Sequence, residues 1–561
     1  MHLGSVLGIV LYLVVLLALA VPLGRYIHSV LEGGQQWLRP LERAVLRLAG
    51  PGAEVEQDWR GYYRSFLWLS VVGFVFVYAV LRLQAVLPLR PFTVAPQGPR
   101  LAFNTAASFI ANCNWQAYAG ETLSYFSQLA LMVLQFLTPA FGLVVAVAFV
   151  RALVATRTTV GNFYRDLTRT LLYVYLPLAV FAAVLLGAMG VPDTFAGPAV
   201  AHTLAGPVQT IARGPVAGFE AIKMLGNNGG GFFNANSAHP YENPGAVSDM
   251  LEILLMSVIP VAMVFTFGAY ARDRRQAWVL VGVTMLLLVA GIGVVYRAEV
   301  AGNPLLHHAL GIATGPNWVG KEVRFGQGDT ATFVAATTAF TTGAVNAMHD
   351  SLTPLGGLVP LLFMMLNAVF GAVGAGLLNM LMFVVITVFI AGLMVGRTPE
   401  FLGKKIESKE IKLAVFAMLV HPFLILAPTA YALAHPVGTS SILNPGFHGL
   451  TEVLYAYTSA AANNGSAFAG LNANTPFYNV SLGLVILLGR YLSIAAMLAM
   501  AGSLGAKRVV PASAGTLSTR TWTFGLVYLA VVLIVGALTF FPGMALGPLA
   551  EHLVHAQGVA R

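Results

Sequence analysis

Charge is the scarcest ingredient of this sequence. Of 561 residues only 9% are Asp, Glu, Lys or Arg, against 57% hydrophobic, and the mean hydropathy is +0.77. That balance lies far outside the range of soluble globular proteins and excludes a water-soluble enzyme as the bulk of the chain. Cysteine is nearly absent too. Cys113 stands alone, so no intramolecular disulfide can form and thiol usage says nothing about redox compartment. No long polar stretch separates the chain into two halves, and every linker is too short to fold as a soluble catalytic domain.

What remains is apolar sequence of membrane length from end to end. Ten runs of about 20 residues begin near Leu3, Phe66, Gln128, Leu171, Met250, Trp278, Leu355, Leu413, Tyr478 and Trp522. They predict an all-α polytopic membrane protein with ten transmembrane helices. The first run has no basic n-region and exceeds a signal-peptide core, so it is expected to remain as a span. The stretch from Leu355 to Val395 is too long for one helix. Its "GAVGAG", Gly371 to Gly376, predicts a break pivoting on Gly371, Gly374 and Gly376. At that depth non-helical backbone is tolerated only where protein or a water-filled cavity surrounds it.

The net charge of +9 is distributed unevenly. Alternate linkers are compact and basic: Arg25 to Arg64, Arg151 to Arg169, "RDRR" at 272–275, Arg397 to Lys412, and Lys507 to Arg520 hold 21 of the 31 basic residues. The positive-inside rule makes these cytoplasmic and puts both termini outside. The other linkers are longer, poor in charge and rich in Gly, Asn, Thr and Pro, and so face outward.

Those outer linkers repeat one pattern four times: "TAASFIANCNWQAY" (105–118), "GFEAIKMLGNNGGGFFN" (218–234), "ATTAFTTGAVNAM" (336–348) and "YAYTSAAANNGSAFAGL" (455–471). Each is a short segment able to form a half-helix, then an Asn/Thr/Gly turn, then a long apolar helix. Span, half-helix, polar loop, span is the plan of a cation-pore unit, and four of them would surround one axis. The units are expected at 60–151, 171–271, 277–396 and 412–504, with extra helices at 1–24 and 521–546. Backbone carbonyls replace the water of a monovalent cation without a fixed charge that would hold it too tightly. Glycine lets them turn inward, and Gly229 is the carbonyl expected from the second turn. No T-V-G-Y-G run is present, which predicts an asymmetric filter, closer to a single tight site than to a multi-ion channel.

Several longer motifs resemble one family. "NCNWQAYAGE", "GNNGGGFFNANSAHPYENP", "GPNWVGKEVRFG", "TTGAVNAMHDSLTPLGG", "GLMVGRTPEFLGKKIE" and "AANNGSAFAGL" are similar, in order and across almost the whole chain, to the potassium-binding (KdpA) subunits of Kdp potassium-transporting ATPases, in the Trk/Ktr/HKT superfamily. The resemblance implies a non-catalytic subunit of the bacterial inner membrane. It implies partnership with a P-type ATPase subunit, KdpB, and the accessory subunits KdpC and KdpF, and lateral delivery of potassium to the pumping subunit. A self-sufficient potassium channel or ion-coupled symporter of the superfamily is the alternative. A carrier for an organic solute would need polar groups at the midplane, and few are present. By motif position the filter falls on Asn112, Cys113 and Asn114; Asn227, Asn228 and Gly229; Thr342 and Gly343; and Asn463, Asn464 and Gly465. The family more often has Thr at position 113, Cys at 342, and near Asn367 and Ala368 a glutamate that would partner Arg490.

Arg490 is the one strong charge deep in a span, where burial costs at least about 2.5–3.5 kcal/mol. It is expected to block cations below the filter, with a structural arginine satisfied by the carbonyls of the broken helix as the alternative. Cys113 is a filter residue through its backbone or a small space-filler. Trp115 and Gln116 are expected behind the filter. "GPNWVGKE" (315–322) imitates a phosphate loop, but Glu322 replaces the hydroxyl residue and no strand precedes it. The adjacent His307 and His308 are the only paired histidines, so no metal centre is expected beyond the transported potassium. The loop from Gly396 to Lys412 is expected to anchor at the lipid surface, or else to dock a cytoplasmic partner.

Overall fold

In a computed structural model, residues 3–311, 315–511 and 516–556 are described. The outermost residues of both termini, whose side the charge pattern predicts, lie outside them, as do 312–314 of the third expected unit and the side chain of His308. The helices that build the molecule are α1 (Leu3–Leu31), α2 (Trp59–Leu83), α3 (Pro99–Ile110), α4 (Tyr125–Val154), α5 (Phe163–Ala188), α6 (Val216–Gly226), α7 (Ala246–Tyr270), α8 (Arg274–Ala301), α9 (Gly326–Ala339), α10 (Pro354–Leu366), α11 (Ala375–Met394), α12 (Ser408–Ala434), α13 (Phe447–Ala462), α14 (Pro476–Gly505), α15 (Trp522–Met544) and α16 (Ala550–Ala556). Ten helices among the described residues are long and apolar enough to cross a membrane, and the expected all-α polytopic architecture holds.

Polar caps set where many of these helices begin. Asp58 accepts from Gly61 N at 2.8 Å ahead of α2, Ser124 from Ser127 N at 3.1 Å ahead of α4, and Thr475 from Tyr478 N at 3.3 Å ahead of α14. Each satisfies an amide that the first turn leaves free and marks the switch from loop to apolar run. Burial then sorts the spans. The most apolar stretches of α4 and α7 are 83% buried, against 17% for α1, so α4 and α7 are central and α1 is peripheral. α1 nevertheless grips α7 closely. Thr266 Oγ1 donates to Gly24 O at 3.0 Å, Tyr12 OH meets Ser257 Oγ at 2.8 Å, and a Cβ on Gly24 would stand 2.7 Å from Phe265 Cβ.

The basic linkers share one face. Arg165 pairs with Glu56 at 2.6 Å, Arg157 N donates to Gly505 O at 2.9 Å, and Arg520 pairs with Asp273. Lys404, on the β3–β4 hairpin (Glu400–Phe401 with Lys404–Lys405), donates to the carbonyls of Ala152 at 3.1 Å, Ala155 at 2.6 Å and Leu504 at 2.7 Å. Its ammonium thus caps the carbonyl ends of α4 and α14 and is buried. Of the basic residues in the loop, Arg397, Lys405, Lys409 and Lys412 are exposed, and Lys404 alone is turned inward. The polar linkers meet on the opposite face, where Arg324 donates to Ala238 O at 2.7 Å and Asn234 N to Glu121 at 2.7 Å. A hairpin of β1 (Ala199–His202) and β2 (Val208–Ile211) also stands there.

The helix break is wider and earlier than the glycine run alone indicates. α10 ends at Leu366 and α11 starts at Ala375; Asn367, Phe370, Gly371 and Gly374 adopt φ of 45°, 60°, 67° and 74°. Gly376 is no pivot. It lies in the first turn of α11, where a Cβ would collide with Phe370 O. The break begins where Asn367 accepts a left-handed conformation, which the short amide side chain permits.

Candidate functional site

Four short helices end at one place. α3, α6, α9 and α13 each run inward from the polar face and deliver, directly after their C-terminal turn, the segments 112–114, 227–229, 341–343 and 463–465. Helix C-terminal ends carry partial negative charge, so four of them aimed at one spot favour a cation there. The turn chemistry explains the abrupt stop. The first residue of each segment takes a left-handed conformation, with φ of 62° at Asn112, 51° at Asn227, 48° at Thr341 and 54° at Asn463. In three segments the third residue is left-handed as well, with φ of 58° at Asn114, 90° at Gly343 and 100° at Gly465. Alternation of left-handed with ordinary backbone turns successive carbonyls toward one side, which a strand, whose carbonyls alternate, cannot do.

The segments close into a ring. Asn228 Nδ2 donates to Asn112 Oδ1 at 2.8 Å, and Gly229 N donates to Cys113 O at 3.2 Å. Asn227 Nδ2 reaches Thr342 Oγ1 at 2.9 Å, and Asn464 Nδ2 reaches Thr337 O at 3.1 Å. The fourth segment returns to the first at Gly465, where a Cβ would collide with Cys113 O. All eleven filter residues expected from the sequence are therefore brought together, and all are buried. The amide side chains hold neighbouring segments in register, so their place is in the wall.

Several carbonyls in this ring receive no hydrogen bond from the described residues: those of Asn228, Thr342 and Asn464. A buried carbonyl normally finds a donor, so a set of them converging without one calls for water or a cation. Gly229 behaves differently from its expectation. Its carbonyl accepts the Asn236 amide at 2.9 Å, which leaves Asn228 as the free carbonyl of the second segment. Thr341 was missed by sequence comparison, yet it stands in register with Asn112, Asn227 and Asn463 and brings its hydroxyl to Asn367 Oδ1 at 3.5 Å. Aligning "TTG" on "NNG" exposes it. Burial pushes the Cys113 thiol up to about 12, so it stays a neutral thiol and adds no charge.

Behind the ring sits a buried ionic network. Lys223 Nζ contacts Glu220 at 2.7 Å, Glu242 at 2.8 Å and Asn236 Oδ1 at 2.9 Å, with all three charged side chains fully buried. Asn236 in turn binds Gly229 O and accepts from Val345 N at 3.2 Å, tying the second segment to the exit of the third. Gln116 is bonded twice to Gly231, accepting from its N at 2.9 Å and donating to its O at 3.1 Å, so its place is the wall, as expected. The phosphate-loop look-alike is spent otherwise: Lys321 Nζ is buried at 2.6 Å from Glu299.

Arg490 and the broken helix lie one layer deeper. Asn463 Nδ2 donates to Ile486 O at 3.0 Å, and Arg490 stands one turn further along α14 toward the basic face. Gly371 N donates to Ala339 O at 2.8 Å, which seats the break against the C-terminus of α9. Arg490 is 4% exposed, and its Nη2 reaches Thr138 O at 3.4 Å; no carboxylate pairs with it among the described residues. Asn367, Asn463, His421 and Arg490 line one cavity there.

Comparison with known proteins adds the lineage. The family described as "Potassium-transporting ATPase A subunit" matches residues 10–553. The protein named potassium-transporting ATPase potassium-binding subunit from Alicyclobacillus acidocaldarius is 60% identical over 99% of this chain and 100% of its own length. Its namesake from Geobacillus kaustophilus is 50% identical over 97% and 98%. The crystal structure of the potassium transporter TrkH from Vibrio parahaemolyticus superposes with a TM-score of 0.52 at 13% identity, covering 78% of this chain and 84% of that one, which shows a shared fold. On the strength of the full-length matches, this chain belongs to the potassium-transporting ATPase A subunit family.

Proposed function

We propose that this chain binds potassium from the outer side in the ring of carbonyls and passes it on as the ion-selecting subunit of an ATP-driven uptake complex. The observation that carries this is the convergence of four helix C-termini on buried carbonyls that lack donors. A potassium ion shedding its water there exchanges hydration oxygens for the carbonyls of Asn228, Thr342 and Asn464, with no anionic side chain to trap it, while Cys113, whose carbonyl accepts from Gly229 N, closes the ring. Asn112, Asn114, Asn227, Asn463, Gly229, Gly343 and Gly465 shape that ring. The relatives' names supply the ion and the ATPase. In this reading the partners are a P-type ATPase subunit, KdpB, with KdpC and KdpF, in a bacterial inner membrane. The basic face is cytoplasmic, both termini are outside, and the four units keep the boundaries expected from sequence.

Arg490 fits the role of a barrier: a buried cation one layer below the ring, flanked by the break at Gly371 and Gly374, opposes straight passage to the cytoplasmic side. The cavity lined by Asn463, Asn367 and Arg490 is then the place where the ion turns sideways toward the partner. Two measurements test this. The chain purified from native membranes should bring an ATPase subunit with it. In liposomes the isolated chain should pass almost no potassium, while Arg490→Gln should raise passive flux about tenfold or more, the effect of about 1.4 kcal/mol off the barrier. Rapid ATP-independent flux in the unmodified chain would favour the channel or symporter instead, and equal flux in both forms would remove Arg490 from the barrier.

A further inference from the structure

We propose that the outer face carries a separate divalent-metal site of the zinc class, formed by Asp350, His448 and Glu452. It goes beyond the potassium-binding function and does not depend on it. His448 and Glu452 are one turn apart on α13, so both point to the same side; Asp350 comes from the turn that follows the third ring segment. One ligand atom from each lies within 4.8 Å of the others. A tetrahedral ion at its usual bond lengths needs ligand atoms about 3.4 Å apart. His448 Nε2 and Asp350 Oδ1, at 3.0 Å, are already that close, and closing the set asks only small rotations of side chains.

Two further observations point to an ion. The other imidazole nitrogen, Nδ1, lies 2.9 Å from Glu551 Oε1 on α16. A carboxylate holding one ring nitrogen while the other faces the ligands is the usual support of a metal-binding histidine, because it fixes the tautomer and the ring plane. The second is Gly470. A Cβ built there would stand 2.8 Å from both Asp350 Oδ1 and Asn444 Nδ2 and would collide with Glu452 Oε1. The missing side chain leaves room beside the spot where the Asn444 amide now donates to Glu452 Oε1 at 2.9 Å and to Asp350 Oδ2 at 3.2 Å, the place between the two carboxylates that an ion would take over. Charge agrees as well: the carboxylates of Asp350, Glu452 and Glu551 gather around His448, with Glu551 also 4.0 Å from His555 Nε2, and no lysine or arginine pairs with them among the described residues. A dication balances Asp350 and Glu452, and imidazole with carboxylates selects zinc-like ions over calcium or magnesium. Sequence spacing concealed the site, since Asp350 is remote in the chain from His448 and Glu452. Occupancy would join α16, the start of α13 and the loop beyond Gly343.

The test uses the intact complex, stripped with a chelator, exposed to micromolar ZnCl2 in the presence of millimolar Mg2+ and Ca2+, and desalted. One zinc per chain should be retained, and X-ray absorption should show one imidazole nitrogen with carboxylate oxygens. His448→Gln and Gly470→Ala should each lower retained zinc at least tenfold, and the zinc-induced rise in melting temperature should vanish with them. Zinc retention no higher in the wild type than in His448→Gln would overturn the site. So would an absorption spectrum with several imidazoles, which would assign the metal to surface histidines, whatever the folding of the variants.

Discussion

Gly343→Ser is expected to raise the potassium concentration for half-maximal uptake by about 100-fold or more and to let rubidium, ammonium or sodium compete. Gly343 has φ of 90°, where a side chain is strained, and a Cβ there would collide with Asn464 O and stand 2.9 Å from Gly229 Cα. A left-handed non-glycine residue costs roughly 1–2 kcal/mol, and forcing extra atoms into packed structure adds about 1–3 kcal/mol. Together these reach the 2.7 kcal/mol or so that corresponds to 100-fold. Relief by displacement cannot be local: Asn464 offers one of the carbonyls without a donor, so moving it alters the cage itself. Uptake assays against a series of monovalent cations, on a variant whose melting temperature is close to wild type, check this. Unchanged selectivity in such a variant would take Gly343 out of the ion's path.

Much of this ring is legible in the sequence, because the physics that builds it is local. Apolar runs and alternating basic linkers gave the spans and their order, and the Asn/Thr/Gly turns marked where short helices must stop. Most of the misses are partnerships that residue type does not announce, whether seven residues away, as for Asn236 and Gly229, or 100, as for Lys404 and Leu504. Asn236 is an unremarked loop residue until it is seen to take the Gly229 carbonyl, and Lys404 looks like surface charge until three helix-end carbonyls surround it. The helix break was centred on its glycines, yet it starts at Asn367, where an asparagine does what a glycine usually does. The direction of the half-helices could not be weighed from composition. Their C-terminal ends at the ring decide the sign of the ion.

Lys223→Met should destabilise the protein by about 3–5 kcal/mol, the range for breaking a buried pair by removing one partner. Among the described residues Lys223 is the one cation in contact with Glu220 and Glu242, and it also offsets the buried Glu252. Burial alone would discharge its ammonium, but the contacts with Glu220 and Glu242 outweigh burial and hold it charged. Methionine keeps most of the volume, so the loss isolates charge from packing. The consequences extend to the ring, because Lys223 also anchors Asn236, whose amide fixes Gly229 O. Potassium affinity should therefore fall together with thermal half-life. Adding Glu220→Gln to Lys223→Met should recover part of the stability, since it removes one of the orphaned charges, and a double-mutant cycle reads that coupling directly. An unaltered half-life in Lys223→Met, or strict additivity of the two substitutions, would mean that the network is not what holds the second segment in place.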